Sequence, residues 1–136
     1  MNTSQLNQKE IHQLLSEILG YQLDNSCSFL LPFYSDYGRN IKIGREVKVS
    51  CNVTMADKGG IKIGDRVAIG FGASLQTVDG RVSGPIVIDA DAYIGANALI
   101  LPNVHIGASA CVGAGTVVTH NVPAGKTVTA VSKGVI

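Results

Sequence analysis

Few side chains in this sequence have the chemistry to move a proton near neutral pH. The histidines are His12, His105 in PNVHIG and His120 in VVTHNVP, and Asp79 stands in the stretch SLQTVDGRVSGP. An imidazole accepts a proton at working pH, which makes histidine the commonest general base. A carboxylate such as Asp79 becomes an effective base only where burial raises its pKa. Which of these groups is used depends on the elements that position them.

Three cysteines, Cys27, Cys51 and Cys111, are odd in number and form no Cys-x-x-Cys pair. That spacing argues against a disulfide framework and against a structural zinc site, so we expect reduced, mostly packed thiols and no bound metal. Cys51 and Cys111 rank low as nucleophiles, because neither has an activating partner near it in the sequence.

Composition excludes several classes of partner. Charged residues make up 15% of the 136 residues, the formal net charge is +1 and no run of Lys or Arg occurs, so nucleic acid and anionic membranes are not expected. The amino terminus MNTSQLNQKEIHQ is polar where a signal peptide needs an apolar core, and no stretch approaches the roughly 20 apolar residues of a membrane span. We expect a cytoplasmic protein of one domain's length.

A six-residue repeat organises most of the chain. Large aliphatic residues recur in the groups 43/49/55, 63/69/75, 88/94/100 and 106/112/118, with a weak continuation at 124/130/136, and Gly follows many of them. This period fits neither a helix nor an ordinary alternating strand. It predicts about five triangular turns of short parallel strands, in which the aliphatic residues stack inward and the glycines allow tight corners. A small sandwich is the alternative, but sandwiches do not hold a six-residue register over so many steps.

The register breaks twice, with two extra residues around Lys58 to Gly60 and a gap of thirteen between Leu75 and Ile88. Loops are therefore expected at those two corners. Insertions in solenoids collect on the face that binds a ligand.

An amphipathic helix is predicted ahead of the repeat, over QLNQKEIHQLLSEILG, with Ser4 as its cap and Gly20 as its end. We expect its apolar stripe to pack on the repeat or on a neighbouring subunit, and His12 to lie on the solvated side. The predicted division is a helical segment over 1–22 and a repeat domain over 23–136. The apolar stripe consists of Ile11, Leu14, Leu15, Ile18 and Leu19.

Three motifs carry a family resemblance: PFYSDYGRNIKIG, IGDRVAIGFGA and VGAGTVVTHNVPAG. Together they make the chain resemble the hexapeptide-repeat acetyltransferases of the maltose and galactoside O-acetyltransferase branch, from about Lys9 to the end. The resemblance implies a left-handed parallel β-helix and a homotrimer with active sites between subunits. It also implies acetyl-CoA as co-substrate, without a metal, and a sugar-like hydroxyl acceptor near a coil corner.

On the acceptor side, the resemblance implies that Asp36, Asn40 and Asn52 bind sugar hydroxyls. A structural explanation competes for each residue. Asp36 and Asn40 are good turn formers, and asparagine also suits a coil corner at Asn52.

On the cofactor side, Tyr93 matches an aromatic position near the thioester, although it also suits the outer surface of the coil. The strip from Gly113 to Thr119 matches the segment that binds the pantetheine arm, although the fold itself also requires these small residues. Near the carboxyl end, the family's basic residue is shifted to Lys133, which the resemblance implies would contact the nucleotide end of the cofactor. The strip's candidate cofactor-binding residues are Gly113, Ala114, Gly115 and Thr119.

The sequence departs from the family where the general base belongs. The family loop reads roughly TxxHP, whereas here Asp79 and Gly80 stand where its histidine would fall, in a shortened loop. His120 occupies a position that is usually a lysine near the cofactor and is the histidine to consider, while His105 should face solvent on the flank of the coil. His120 and Asp79 are therefore the candidate bases.

Two functions remain open at this point. The first is an O-acetyltransferase that transfers directly within a ternary complex and uses a weak or unconventional base. The second is a catalytically silent trimer that binds an acyl-CoA or a sugar-like ligand, or assembles with an active relative. The fold resemblance favours the first and the missing histidine favours the second.

Overall fold

The computed structural model describes residues 7–129 of the chain. One helix, α1 (Gln8–Leu19), precedes a series of short strands. The strands are β1 (Ser28–Phe29), β2 (Phe33–Ser35), β3 (Ile41–Ile43), β4 (Lys48–Val49), β5 (Val53–Ala56), β6 (Ile61–Ile63), β7 (Ala68–Ile69), β8 (Ser74–Gln76), β9 (Val78–Asp79), β10 (Val82–Ser83), β11 (Ile86–Ile88), β12 (Tyr93–Ile94), β13 (Leu99–Ile100), β14 (His105–Ile106), β15 (Cys111–Val112), β16 (Val117–Val118) and β17 (Thr127–Val128).

Three parallel sheets form the faces of a β-helix of about five turns, which confirms the predicted architecture. Face A has the strand order β1-β4-β7-β12-β15-β17, face B the order β2-β5-β8-β13-β16, and face C the order β3-β6-β11-β14. Apart from the hairpin of β9 and β10, successive strands of the chain pass from A to B to C, and each of the first four turns contributes one strand to each face. We number the turns as coils 1 to 5 and name each corner by the faces it joins.

The predicted aliphatic stacks are confirmed in register. On face C, Ile43 pairs with Ile63, Ile63 with Ile88, and Ile88 with Ile106. Equivalent stacks run down the other two faces. The structure adds a coil before the first predicted one, because Phe29 pairs with Val49 on face A.

The predicted continuation of the register through Ala124 is wrong. Val122 bridges to Ile106 and Val128 pairs with Val112, whereas Ala124 is exposed. The last B/C corner has only three residues between Val118 and Val122, so the inward position comes two residues earlier than a strict six-residue count predicts. Positions 130 and 136 of the predicted fifth turn lie outside the described residues.

The predicted reason for the glycines also needs correction. A Cβ on Gly95 would lie 2.6 Å from the backbone nitrogen of Ala114 in the next coil. Glycine is therefore required there because two backbones approach closely. Positive φ occurs two residues further along, as at Asn97 with φ 58°, where asparagine is among the residues that tolerate the left-handed region.

Helix α1 closes the first coil. Its cap is Asn7, whose side chain and Glu10 form a reciprocal capping box, and not Ser4, which lies outside the described residues. It ends at Gly20 as predicted, with φ 85°. His12 is buried instead of solvated, and its Nδ1 lies 2.8 Å from the carbonyl oxygen of Gln8. The apolar stripe packs into the same hydrophobic core as the coils.

The loops that interrupt the repeat lie one above another at the B/C corner. This corner is formed by residues 36–40 in coil 1, 57–60 in coil 2, 77–85 in coil 3, 101–104 in coil 4 and 119–121 in coil 5. In the part of the chain that the structure describes, no helix is long and apolar enough to cross a membrane.

Candidate functional site

A buried carboxylate, Asp57, organises the top of the B/C corner. Its Oδ1 accepts hydrogen bonds from the backbone N–H groups of Tyr37 at 3.0 Å and Gly38 at 2.9 Å, and its Oδ2 accepts one from Asn40 at 2.9 Å. Burial raises the pKa of Asp57, but the hydrogen bonds from the N–H groups of Gly38, Asn40 and Tyr37 outweigh it, so the pKa is lowered overall. Asp57 therefore fixes the loop of coil 1 as a carboxylate.

Asp36 and Asn40, two of the predicted acceptor-binding residues, take part in the same connection between loops. Asp36 Oδ1 accepts a hydrogen bond from the backbone N–H of Asp57 at 2.9 Å, and the Asn40 amide donates to the carbonyl of Lys58 at 3.2 Å. Both residues are nevertheless exposed. Each thus has a structural partner and a solvent-facing side, and their contact with an acceptor stays a prediction.

Thr77 joins the loop of coil 2 to the hairpin of coil 3. Its buried hydroxyl accepts a hydrogen bond from the N–H of Gly59 at 2.8 Å and donates one to the carbonyl of Ala56, while its own carbonyl accepts one from Gly84 at 2.9 Å. Sequence reasoning gave no role to Thr77 or Asp57. The break in the repeat around residues 57–60 was the signal that marked this place.

Asp79 lies on the hairpin formed by β9 and β10, where it pairs with Val82 in an antiparallel register. Its side chain is exposed. The hairpin also exposes Val78 and Val82, with 39% and 54% of their surface accessible. It therefore presents a carboxylate and two apolar side chains at the corner where the resemblance implies an acceptor.

His120 and Thr119 lie at the B/C corner of coil 5. Thr119 Oγ1 is 2.8 Å from His120 Nδ1, and both residues are exposed. They line a cavity of about 590 Å³ together with Gly115. The structure thus brings three of the predicted residues to one surface, while Lys133 lies outside the described residues.

The remaining predicted residues lie elsewhere on the coil. Asn52 occupies the A/B corner of coil 2 with φ 61°, and Gly113, Ala114 and Gly115 occupy the same corner in coil 5. Tyr93 projects from face A, where 46% of its surface is exposed. Within one chain, the predicted acceptor and cofactor residues are therefore divided among the B/C corner, the A/B corner and face A.

Among residues 7–129, no group of three or more His, Cys, Asp or Glu side chains is arranged to hold a metal ion. Cys27 is buried, and burial raises the pKa of its thiol. Cys51 and Cys111 are half-buried free thiols.

The comparisons with known proteins agree with this architecture. The family described as "Bacterial transferase hexapeptide (six repeats)" matches residues 85–120. A hexapeptide-repeat containing acetyltransferase from Vibrio cholerae superimposes with a TM-score of 0.85 at 33% identity, covering 93% of this chain and 78% of the other. A structure titled as its complex with acetyl coenzyme A gives a TM-score of 0.82 at the same identity, covering 93% and 75% of the two chains.

Two curated relatives are galactoside O-acetyltransferases. The Escherichia coli K12 protein is 35% identical over 103 residues, which are 68% of this chain and 51% of that protein. The Lactococcus lactis protein is 26% identical over 134 residues, which are 90% of this chain and 65% of that protein. This chain belongs to the hexapeptide-repeat acetyltransferase family. It spans about half to two thirds of the length of these curated relatives.

Proposed function

We propose that this chain is an acetyl-CoA-dependent O-acetyltransferase that acts on a sugar or a similar hydroxyl acceptor. The observation that carries the proposal is the likeness, over 93% of the chain, to a Vibrio cholerae acetyltransferase whose structure is titled as a complex with acetyl coenzyme A. The cavity at Gly115, Thr119 and His120 supports it, because it lies at the strip predicted to bind the pantetheine arm.

Transfer within a ternary complex needs three contributions from the protein. A base removes the proton of the acceptor hydroxyl as its oxygen attacks the thioester carbonyl carbon. Polar side chains hold the acceptor, for which Asp36, Asn40 and Asn52 are proposed. The bound thioester must also meet the hydroxyl at close range, because positioning alone supplies a large part of the rate.

A homotrimer accounts for the separation of the predicted residues. The outward row of face B consists of Tyr34, Thr54, Ser74, Leu99 and Val117, paired in register, and it carries no charge. Tyr34 and Val117 expose 51% and 55% of their surface. Packing such a face against a second copy would bury it and bring the corner of one subunit beside face A or the A/B corner of the next.

A catalytically silent trimer that binds an acyl-CoA or a sugar-like ligand is the second candidate. The observation that favours it is the hairpin of residues 77–85, which presents the exposed Asp79 and contains no histidine. Loss of general-base assistance costs on the order of 10² to 10⁴ in rate, so a member without a replacement base would still bind ligand but turn over poorly.

Thioester consumption with galactoside and maltose acceptors, measured beside calorimetry with coenzyme A, tests the two candidates. Acceptor-dependent release of coenzyme A supports the transferase. Binding of coenzyme A without any acceptor-dependent release supports the silent trimer. Absence of binding heat at millimolar coenzyme A contradicts the transferase and the silent trimer that binds an acyl-CoA.

A further inference from the structure

His105 on face C meets a carboxylate, Asp89, which follows β11 in the preceding coil. His105 Nε2 lies 2.7 Å from Asp89 Oδ2. With the carboxylate accepting from Nε2–H, the lone pair of the imidazole lies on Nδ1, the other ring nitrogen. Among the described residues Nδ1 has no hydrogen-bond partner, and 52% of the side chain is exposed. The ring therefore offers a proton acceptor to an incoming molecule.

The backbone of His105 is fixed on both sides. Its N–H donates to the side-chain oxygen of Asn121 at 2.8 Å, and its carbonyl accepts from the N–H of Val122 at 3.0 Å. It also pairs with Val87 of the preceding coil in the parallel ladder. The imidazole thus stands on a rigid strand and not on a loop, which is what a catalytic group requires.

A recess of about 350 Å³ opens beside this pair. It shares two lining residues, Asn121 and Val122, with the larger cavity at His120. The recess beside the His105 pair therefore adjoins the cavity lined by Gly115, Thr119 and His120. The recess is lined by Asp89, His105, Gly107, Ala108, Asn121, Val122, Pro123 and Ala124.

The other two histidines lack this arrangement. His12 is buried, with its Nδ1 beside the carbonyl oxygen of Gln8, and His120 has its Nδ1 beside the hydroxyl of Thr119. Within residues 7–129, His105 is the histidine with a carboxylate at hydrogen-bond distance. A nucleophile-activating base is characteristically oriented by such a third group. Half-exposed ion pairs contribute little to stability, so the fold does not depend on this one.

We propose that His105, oriented by Asp89, is the general base that replaces the missing loop histidine; this rests on the proposed acetyltransferase function. His105 Nδ1 takes the proton of the acceptor hydroxyl as the oxygen forms a bond to the acetyl carbonyl carbon. The carbon–sulfur bond then breaks, and the leaving thiolate receives the proton from the imidazolium. Asp89 stabilises the imidazolium between the two transfers, and no proton is gained or lost overall.

The test compares His105→Gln and Asp89→Asn with two matched controls. Asp91→Asn removes the carboxylate of another half-exposed pair, Arg66–Asp91, two residues further along. Lys62→Gln makes a polar change on the outward row of the same face. The full chain is assayed over a range of pH with acetyl-CoA and with a galactoside or maltose as the hydroxyl acceptor.

We expect kcat of His105→Gln to fall by about 10² to 10⁴, with coenzyme A affinity and melting temperature unchanged and the acidic limb of the pH–rate profile lost. The kcat of Asp89→Asn should fall by a smaller factor, and both control variants should keep the wild-type kcat. An active wild type whose kcat survives His105→Gln overturns the base but leaves the proposed function standing. A loss of folding or of coenzyme A binding in His105→Gln that is as large as the loss of kcat also overturns the role of His105 as the base. A wild type that binds coenzyme A but transfers to no hydroxyl overturns the function and the base together.

Discussion

Asp36 and Asp57 hold each other's loops in place. The carboxylate of Asp36 accepts a hydrogen bond from the backbone N–H of Asp57 at 2.9 Å, and the carboxylate of Asp57 accepts from the N–H of Gly38, two residues beyond Asp36, at 2.9 Å. Two of the residues predicted to meet the acceptor, Asp36 and Asn40, therefore lie on a loop that is held by a carboxylate buried in the next coil.

Replacing Asp57 with alanine should destabilise the protein by about 2 to 4 kcal/mol, because buried N–H groups lose a charged acceptor. Urea unfolding at fixed protein concentration measures the change. Asp79→Asn on the exposed hairpin is the matched control and should stay within about 0.5 kcal/mol of wild type. Equal midpoints for Asp57→Ala and wild type would show that the loop does not need the carboxylate.

The same carboxylate predicts a dependence of stability on pH. The pKa of Asp57 is lowered in the folded state, so the unfolded chain binds a proton first as pH falls. The stabilisation is fully present above the unfolded value of about 3.9 and is lost as pH falls through the lower folded value. The urea midpoints of wild type and Asp57→Asn are compared from pH 7 down to pH 3. The difference between the two midpoints should shrink below about pH 4. A difference that grows on acidification would reverse this assignment.

Gly95→Ala should destabilise the coil by roughly 1 to 3 kcal/mol, because its Cβ would lie 2.6 Å from the backbone of Ala114. Gly80→Ala on the hairpin is the comparison. Its Cβ would meet nothing within 4 Å, so it carries only the strain of φ 62°, about 1 kcal/mol. Melting temperatures that rank the two variants in the opposite order would contradict the close-approach explanation.

Assembly should depend on face B. Val117→Glu places a charge in its uncharged outward row and should convert a trimer to smaller species, whereas Lys62→Glu on face C should leave the assembly intact. Sedimentation velocity at micromolar concentration distinguishes them. A wild type that sediments as a stable monomer would remove the proposed subunit contact.

His120→Ala should weaken coenzyme A binding and raise its KM, with a small effect on kcat, because His120 lines the cavity of the predicted cofactor strip. Calorimetry and steady-state kinetics separate the two effects. Abolished kcat with unchanged coenzyme A affinity would instead make His120 the base and contradict the role proposed for His105.

The six-residue repeat was enough to predict the fold because each turn of the coil repeats the same inward position. Ile63, Ile88 and Ile106 stack as their spacing requires. Among residues 7–129 the register failed at Ala124, where a short corner moves the inward position to Val122. A strict period cannot detect a corner that shortens by two residues.

The site was less predictable, since its contacts join residues that lie far apart in the sequence. The hydrogen bond between Asp57 and Gly38 joins residues 19 positions apart in the sequence, and the one between His105 and Asp89 joins residues 16 positions apart. His105 was expected to face solvent, and it does, but only the stacking of coils places Asp89 beside it. Helical periodicity places His12 on the solvated side, and it does not show that this side chain is buried in the folded chain.

A stack of parallel strands has an unpaired ladder at its end, and identical chains can add to such a ladder without limit. In this protein the first strands of all three faces, β1, β2 and β3, lie at the ends of their sheets. Helix α1 packs against β1, and its buried residues Ile11, Leu15 and Leu19 join the core beneath. The helix therefore covers that end of the coil and blocks the addition of further strands there. The repeat that builds a stable coil is thus kept from extending into a fibre at this end.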